Sequence, residues 1–490
     1  MAGGGVNHSP LMIIGGGPAG ITAAIEAAGA GLPCTLIDEA PRLGGQIYRQ
    51  IPAAFCVRDA SALGKDYRRG EALRAELRAH SARVSLMPRT VIIDLSSHRE
   101  ILWAAEETAG AIRADQLIVA SGAYERSVPF PGWTLPGVMT AGGAQRLIKT
   151  LQVRPGRRAL ITGTGPLLLV VANQLRAVGT EVVAVLEAGR HPRWPQFLVK
   201  ARGEWGLLKD AFEYWRGLRR AGIPLRFNHT VFEAHGASAV EAVTYGPVDP
   251  ATWSPIRSQA EQVEVDLLVV GFGLVPNVEL TTLGGCDHRY ALELGGWVPE
   301  RDACMETSIP GLFAVGDGAG IRGAAVASLE GRVAGITAAE HAGLLPRAEA
   351  DRRRAPFLAR LESLLRVRAV LDGMSRIRPG LSELATPGTI VCRCEEVALG
   401  EVQMALAAGA RDLQAVKLLT RLGMGPCQGR NCAPAMRSYL SHATGRTAAE
   451  VGRINPRPPV KPVRLGALAR MTRAMPADDP FQATIREALS

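Results

Sequence analysis

Short apolar runs punctuated by glycine turns dominate the first two thirds of the chain. Leu11-Met12-Ile13-Ile14 has no polar position, which predicts a strand buried on both faces. It feeds Gly15-Gly16-Gly17-Pro18-Ala19-Gly20 and an alanine-rich helical stretch to about Gly29. Cys34-Thr35-Leu36-Ile37 predicts the next strand, which ends at Asp38-Glu39. Strand, glycine turn, helix and strand in that order make a βαβ unit with a parallel sheet.

The pattern then returns. Arg158-Ala159-Leu160-Ile161-Thr162 predicts a strand, Gly163-Thr164-Gly165-Pro166 a turn, and Glu181 to Glu187 the strand after the helix. Gly163 lies 148 residues beyond Gly15, so the two units form a weak internal duplication. Each unit is followed by a strand that ends in small residues, Leu117 to Ala123 and Leu267 to Gly273. From Pro310, the run Gly311-Leu312-Phe313-Ala314-Val315-Gly316-Asp317-Gly318 predicts a strand that enters an acidic, glycine-flanked turn.

Beyond that point the periodicity changes. Residues 346–385 read as a basic helical linker, and residues 386–450 hold four of the eight cysteines. Residues 451–490 include Asn455-Pro456-Arg457-Pro458-Pro459-Val460-Lys461-Pro462, an extended proline-rich tail expected to pack across a neighbour.

A chain of 490 residues is too long for one ordinary core, and 47% hydrophobic with 21% charged residues is globular composition. The 55 glycines exceed the usual share of roughly 7% and suggest backbone that approaches ligands closely. The net charge is +10, with arginines densest from Arg352 to Arg378. That patch reads as a solvated basic face, with an anionic partner surface or subunit interface as the competing reading. No nucleic-acid recognition motif accompanies the charge. The N-terminus lacks the charged region of a signal peptide, and no apolar run approaches the ~20 residues that span a bilayer. The expected location is cytoplasmic, free or peripheral at the inner face of the cell membrane. Cysteines there stay reduced, so clustered ones favour metal or redox chemistry.

The first glycine loop follows a strand, precedes a helix and has an acid 23 residues beyond Gly15, the context of a dinucleotide site. Gly15 permits the tight turn, Gly17 lets backbone reach a pyrophosphate, and Gly20 lets the helix pack on the strand. Pro18 and Ala19 open the helix, whose N-terminus stabilises phosphate charge. Asp38 stands where a carboxylate accepts from ribose hydroxyls, with Glu39 as fallback. FAD is favoured over NAD by Gly44-Gly45-Gln46 close after the acid, by the second close turn Ser121-Gly122-Ala123, and by Gly316-Asp317, whose carboxylate would meet the ribityl chain.

On these residues, positions 10 to 340 resemble the flavoproteins with two dinucleotide domains related to glutathione and thioredoxin reductases. The resemblance implies an α/β fold in which the FAD-binding domain (1–155 and 270–345) is interrupted by a second Rossmann-like domain (156–269). The expected FAD contacts are Gly15, Gly17, Pro18, Ala19, Gly20, Asp38, Glu39, Gly45, Gln46, Val91, Ser121, Gly122, Gly316 and Asp317. Two departures argue against disulfide reduction. Gly45 is followed by Gln46-Ile47-Tyr48 rather than a redox disulfide, and residues 156–268 contain no cysteine. In the second loop Leu168 stands at the third glycine position, which would push the helix off the strand and disturb the turn. A degenerate second site and a working NADH site both stay open, since Glu187 could still hold a ribose and would disfavour a 2′-phosphate.

The cysteines are Cys392 and Cys394 in C-x-C, then, after thirty-two intervening residues, Cys427 and Cys432 in C-x4-C. Four thiolates hold Zn²⁺ or a [2Fe–2S] cluster. C-x-C is tight for one tetrahedral zinc, whereas a [2Fe–2S] cluster takes two thiolates on each iron. Gly423, Gly425 and Gly429 would let backbone N–H groups approach the sulfides, and Lys417, Arg421 and Arg430 would offset an anionic cluster. Cys34, Cys56, Cys286 and Cys304 show no mutual spacing and read as small buried or incidental residues. The histidines form no metal-binding pattern.

The module resembles the ferredoxin-like domain of bacterioferritin-associated ferredoxin, which ends in C-x2-C rather than C-x4-C. With Arg126-Ser127-Val128-Pro129-Phe130-Pro131-Gly132-Trp133 and Gly45-Gln46-Ile47-Tyr48-Arg49, nearly the whole chain resembles the larger (α or A) subunits of opine oxidases, hydrogen cyanide synthase, and hydroxyproline and proline dehydrogenase complexes. That resemblance implies a hetero-oligomeric dehydrogenase for a secondary amine or amino acid of the opine, hydroxyproline, proline or glycine class. A smaller D-amino-acid-oxidase-like FAD subunit oxidises the C–N bond, with an interfacial FMN and a small third subunit in some members. This chain would pass electrons through FAD and a [2Fe–2S] cluster to a respiratory or other one-electron acceptor. In some relatives the first site holds ATP or NAD. The competing readings are a self-sufficient NADH:acceptor reductase, a lone amine oxidase, and a scaffold that uses nucleotide for assembly.

Overall fold

The computed structural model describes residues 7–52, 54–55, 64–191, 205–374 and 376–474. Cys56 and the end of the expected tail, residues 475–490, lie outside them.

The strand Asn7–Ile14 forms the centre of a seven-stranded sheet because both its neighbours are apolar. Cys34–Ile37 pairs with it in parallel on one side and Ala109–Val119 on the other. Val84–Met87 extends the parallel edge beyond Cys34–Ile37. The long strand Ala109–Val119 serves two partners along its length. Its first residues pair antiparallel with Glu100–Ala104, which pairs in turn with Val91–Leu95. Leu117, Ile118 and Val119 pair in parallel with Leu312, Phe313 and Ala314. The strand Leu312–Ala314 thus returns to the first sheet after a complete second unit.

That second unit holds a five-stranded parallel sheet in the order Leu225–Phe227, Glu181–Glu187, Arg158–Gly163, Leu267–Gly271, Val138–Thr140. The insertion expected from the duplication is therefore present. Val138–Thr140 and the helix Ala141–Lys149 belong to this sheet's unit, although both lie inside the segment 1–155 assigned to the first. An antiparallel sheet of His229–His235, Ala242–Pro247 and Glu261–Glu264 covers one side. The two chain crossings between the units pair with each other, Ala123–Glu125 against Leu274–Pro276.

Helix Pro18–Gly29 packs closely on helix Ala324–His341. Two glycines permit this: a Cβ at Gly331 would stand 2.0 Å from the Ala19 carbonyl oxygen, and one at Gly335 2.4 Å from that of Ala23. The basic stretch forms the helix Arg347–Met374 and is more than a linker. Ala350, Leu361 and Leu364 are buried in the first unit's core, and Leu381 and Leu384 just beyond it enter the second unit's. Arg354 is buried against Glu340 and Asp351, so the arginine-rich stretch is not wholly a solvated face.

The cysteine module has its own core, built on the hairpin of Ile390–Cys392 and Val397–Ala398 and the helices Leu399–Ala407, Leu413–Thr420, Cys432–Thr444 and Ala448–Val451. The tail then crosses back over the first unit. The Val460 amide donates to the Ile93 carbonyl at 3.0 Å, and its side chain is buried with Ile92, Leu95 and Ile101. A final helix, Leu465–Ala474, departs from the extended conformation expected of the whole tail. Among the described residues, no helix is long and apolar enough to cross a membrane.

Candidate nucleotide and cysteine sites

The first glycine loop is shaped by steric demands that only glycine meets. Gly15 has φ +106°, and a Cβ there would stand 2.2 Å from the Ala120 carbonyl oxygen. A Cβ at Gly20 would stand 1.8 Å from the Gly15 carbonyl oxygen, so this glycine lets helix and turn touch. Gly17 is different. Its backbone is extended, and the nearest atom to an added Cβ is the Gly45 Cα, 3.8 Å away. Gly45 in turn packs against Gly17: a Cβ on Gly45 would stand 2.8 Å from the Gly17 Cα, so glycine at both positions keeps this side of the loop bare. The helix begins at Pro18 with no side-chain cap and no acid in its first turn, which leaves its first amide donors to a ligand.

The other expected residues gather around this loop. Asp38 accepts from the amides of Gly16 and Ala40, and burial pushes its carboxyl pKa up. Glu39 is exposed and pairs with Lys461 of the tail, so it points away from the loop that Asp38 serves. The Thr90 amide donates to the Asp38 carbonyl at 3.0 Å, which brings Val91 beside the acid. Gln46 is exposed next to Gly45. Ser121 donates to the Asn277 carbonyl at 2.6 Å, and Gly122 has φ +67° with open space beside it. Gly316 packs near Ala19, and Gly318 abuts Ser121 and Gly122. The Asp317 carboxylate accepts from the amides of Arg322 and Gly323, each at 2.9 Å. Burial is the main influence on it and raises its pKa. Loop, second turn and acidic turn therefore converge on one edge of the sheet, with a glycine cradle that fits a dinucleotide.

Glu330 is a member that the residue pattern did not reveal. It is 1% exposed, accepts from the Gly316 amide at 2.8 Å and pairs with Arg301 at 2.5 Å. It therefore anchors the acidic turn from behind. An acid in the middle of the alanine- and glycine-rich helix was the available signal.

The second loop has the altered geometry expected from Leu168. Gly165 takes φ +96°, whereas its counterpart Gly17 has φ −78°. The helix starts at Leu167, one residue later than in the first unit. Leu168 is buried over Gly271, where a Cβ would meet its side chain at 2.9 Å. The Glu187 carboxylate accepts from Gly165 and Gly189, both at 2.8 Å, much as Asp38 accepts from Gly16 and Ala40. Burial pushes its pKa up.

In the module, Cys392 ends a strand and is buried, Cys394 is exposed on the following turn, Cys427 is half-buried, and Cys432 starts a helix and is buried. The thiols meet as two pairs. Cys392 lies beside Cys432 and Cys394 beside Cys427, close enough for each to shift the other's titration, and each pair feels the charge of the other. The neighbouring Cys432 lowers the Cys392 pKa to about 6, helped by amides that include Gly423, while the Cys432 pKa is raised. Gly425 lies against Cys394, where a Cβ would clash with that side chain at 2.3 Å. Among the described residues, no three His, Cys, Asp or Glu side chains are grouped as one metal ion requires. Two facing thiol pairs with backbone amides aimed at them are a donor set that suits two bridged irons better than one zinc. Arg421 is paired with Glu395. Arg430 lies beside Cys427, whose carbonyl it approaches at 3.4 Å, and meets Glu279 of the nucleotide-binding fold at 2.9 Å. Cys34 and Cys286 are buried, with pKa values raised by burial, and Cys304 is half-buried.

Comparison with known proteins agrees with this architecture. Residues 9–343 match the pyridine nucleotide-disulphide oxidoreductase family and residues 387–471 the sarcosine oxidase A3 domain. The chain is 37% identical to the HcnB subunit of hydrogen cyanide synthase from Pseudomonas aeruginosa, over 95% of this chain and 99% of that protein. It is 33% identical to an opine oxidase A-type subunit from Rhizobium meliloti, over 94% and 87%. Among solved structures, L-proline dehydrogenase from P. horikoshii superposes with a TM-score of 0.69 at 22% identity, over 95% of this chain and 81% of that one. T. acidophilum thioredoxin reductase superposes with a TM-score of 0.51 at 18% identity, over 69% and 99%.

Proposed function

The chain belongs to the pyridine nucleotide-disulphide oxidoreductase family, in company with HcnB and the opine oxidase A subunits, and from that premise we propose that it is the electron-transferring subunit of a multisubunit amine or amino-acid dehydrogenase. In this reading a partner subunit oxidises the C–N bond of the donor, in keeping with relatives named as subunits of oxidases and synthases. The observation that carries it is the meeting of four cysteine thiols, as two pairs, on a module clamped to a dinucleotide fold by Arg430 and Glu279.

Membership implies a flavin, and the cradle supports FAD in the first unit. Gly15, Gly17, Pro18, Ala19, Gly20 and Gly45 would leave room for the pyrophosphate, with Asp38 at the ribose. Val91, Gln46, Ser121, Gly122, Gly316 and Asp317 would complete the surround, and Glu39, paired outward with Lys461, drops to a peripheral role. Cys392, Cys394, Cys427 and Cys432 would hold a [2Fe–2S] cluster. A flavin exchanges two electrons or one, and an iron–sulfur cluster one, so the pair of groups converts a two-electron oxidation into single-electron steps. The protein's own part is to hold both groups on one rigid body. Glu330 and Arg301 fix the acidic turn, and Arg430 sets a positive charge beside Cys427. The second unit serves as a structural support, because Leu168 stands at the third glycine position of its loop and the helix there starts one residue late.

The test is to isolate the chain with its natural partner subunits, measure flavin and iron, and record the EPR spectrum after adding candidate amines and amino acids. We expect flavin, about two irons per chain, and a cluster signal that appears on adding the donor. Zinc in place of iron, or a cluster that no donor reduces while NADH does, would overturn the proposal.

A further inference from the structure

We infer that the junction between the nucleotide-binding fold and the cysteine module is a binding site for a small oxyanion, a carboxylate or phosphate group, held by Arg437 and Arg453, with Arg126 adding to the positive charge around it. The inference does not depend on which cofactors the chain carries.

Arg126 is 7% exposed and Arg437 6%. Arg126 donates to the Gly295 carbonyl at 2.6 Å and Arg437 to that of Gly452 at 2.8 Å. Backbone carbonyls satisfy part of each guanidinium but carry no counter-charge. Among the described residues, no carboxylate is ion-paired with Arg126, Arg437 or Arg453; the one nearby, Glu279, is engaged by Arg430. The junction therefore sets four guanidinium groups against one carboxylate. Burial lowers the pKa of Arg126, Arg437 and Arg453, and Arg437 repels the other two. A buried lysine could escape such a position by losing its proton, but an arginine stays charged.

The aromatic rings nearby offset only part of this. Arg437 lies over Tyr290 at 5.4 Å and Arg453 over Trp297 at 5.3 Å. Cation–π contact is weaker than the cost of burying an unpaired charge. A second, independent observation points to a ligand. The Nε1 of Trp297, Nη1 of Arg453 and Oε2 of Glu279 are buried without a hydrogen-bond partner. All three residues line one cavity of about 50 Å³, together with Arg430 and Arg437. Two of those atoms are donors, and planar guanidinium forks match carboxylate and phosphate oxygens. The orphaned Glu279 oxygen would accept from a protonated oxygen or an ammonium on the same ligand. An anion seated there would neutralise the charge excess and tie the module to the flavin-type fold.

The experiment measures binding of inorganic phosphate, acetate and glycine to the purified chain with its co-purifying subunits, by calorimetry and by thermal melting against chloride at equal ionic strength. We expect saturable binding of at least one of the three and a raised melting temperature, both weakened about tenfold or more in Arg453→Gln. Preference for phosphate, or for acetate and glycine, identifies the source of the oxyanion. Arg453 is only partly buried, so its variant is informative even if Arg437→Gln fails to fold. No saturable binding of any of the three, binding that chloride matches, or binding unchanged in Arg453→Gln would overturn the inference.

Discussion

The Glu187 carboxylate accepts from the amide of Gly165 at 2.8 Å, inside the loop that a pyridine nucleotide would have to enter. Asp38 is held in a similar way by Gly16 and Ala40, so what sets the second loop apart is Leu168, the positive φ of Gly165 and a helix that starts one residue late. We therefore expect NADH to leave the flavin oxidised when mixed rapidly with the purified complex, while an amine or amino-acid donor reduces it. Stopped-flow absorbance in the flavin bands reads both outcomes, and fast reduction by NADH would show that the second loop opens.

Gly17 and Gly20 separate ligand binding from folding. A Cβ at Gly20 collides with the backbone of Gly15, so Gly20→Ala should cost about 1–3 kcal/mol of stability and lose nucleotide with it. A Cβ at Gly17 meets no protein atom closer than 3.8 Å. Gly17→Ala should keep the melting temperature of the ligand-free protein and still lose flavin, measured by absorbance after gel filtration. Retained flavin in Gly17→Ala would move the nucleotide away from this loop.

The buried Glu330–Arg301 pair holds the acidic turn from the side opposite the loop. Glu330→Ala leaves the Arg301 guanidinium buried without its carboxylate and frees the Gly316 amide. The expected loss is about 3–5 kcal/mol in urea denaturation. Glu330→Gln should recover part of that loss, because the amide oxygen can still accept from Gly316.

Arg430 and Glu279 clamp the module to the dinucleotide fold, and both side chains are largely buried. Breaking the pair with Glu279→Ala should free the module to move. The readout is limited proteolysis near residues 376–390, together with slower donor-dependent reduction of the cluster at unchanged flavin reduction.

His288 supplies an acid limb to stability. Burial, reinforced by Arg453, lowers its pKa to about 4, against about 6.5 when unfolded. Its Nδ1 meets the Cys286 carbonyl at 2.7 Å and its Nε2 the Thr281 hydroxyl at 2.9 Å, contacts made by the neutral ring. Between those pH values the unfolded state binds the extra proton, so stability is complete above the upper value. It falls by about 3 kcal/mol as pH drops to the lower one. His288→Gln should flatten that slope in denaturation curves taken across the range.

Local patterns made the dinucleotide units readable. Gly15, Gly17 and Gly20 lie within six positions, and the steric reason for each is settled by its immediate neighbours. The displaced second helix was foreshadowed by Leu168 alone, since a glycine replaced by leucine has one physical consequence at that spot. The four cysteines were equally plain, because C-x-C and C-x4-C leave few arrangements. Long-range partners were not readable. Nothing near Glu279 marks Arg430 as its counter-charge, and nothing near Glu330 marks Gly316. The same holds for Val138–Thr140, whose apolar residues suit either sheet until Leu267–Gly271 is in place to pair with them.

Val460 sits in the core of the first unit, its amide bonded to Ile93 and its side chain beside Ile92 and Leu95. During synthesis that core waits on a segment made after both the second unit and the module. Strands of the first sheet emerge early, yet Leu312–Ala314 and Val460 reach them only after the second unit and the module have been translated. The nucleotide fold is thus finished after the second unit and the module although its strands precede theirs, and a chain stopped short of Val460 would expose the apolar patch that this residue covers.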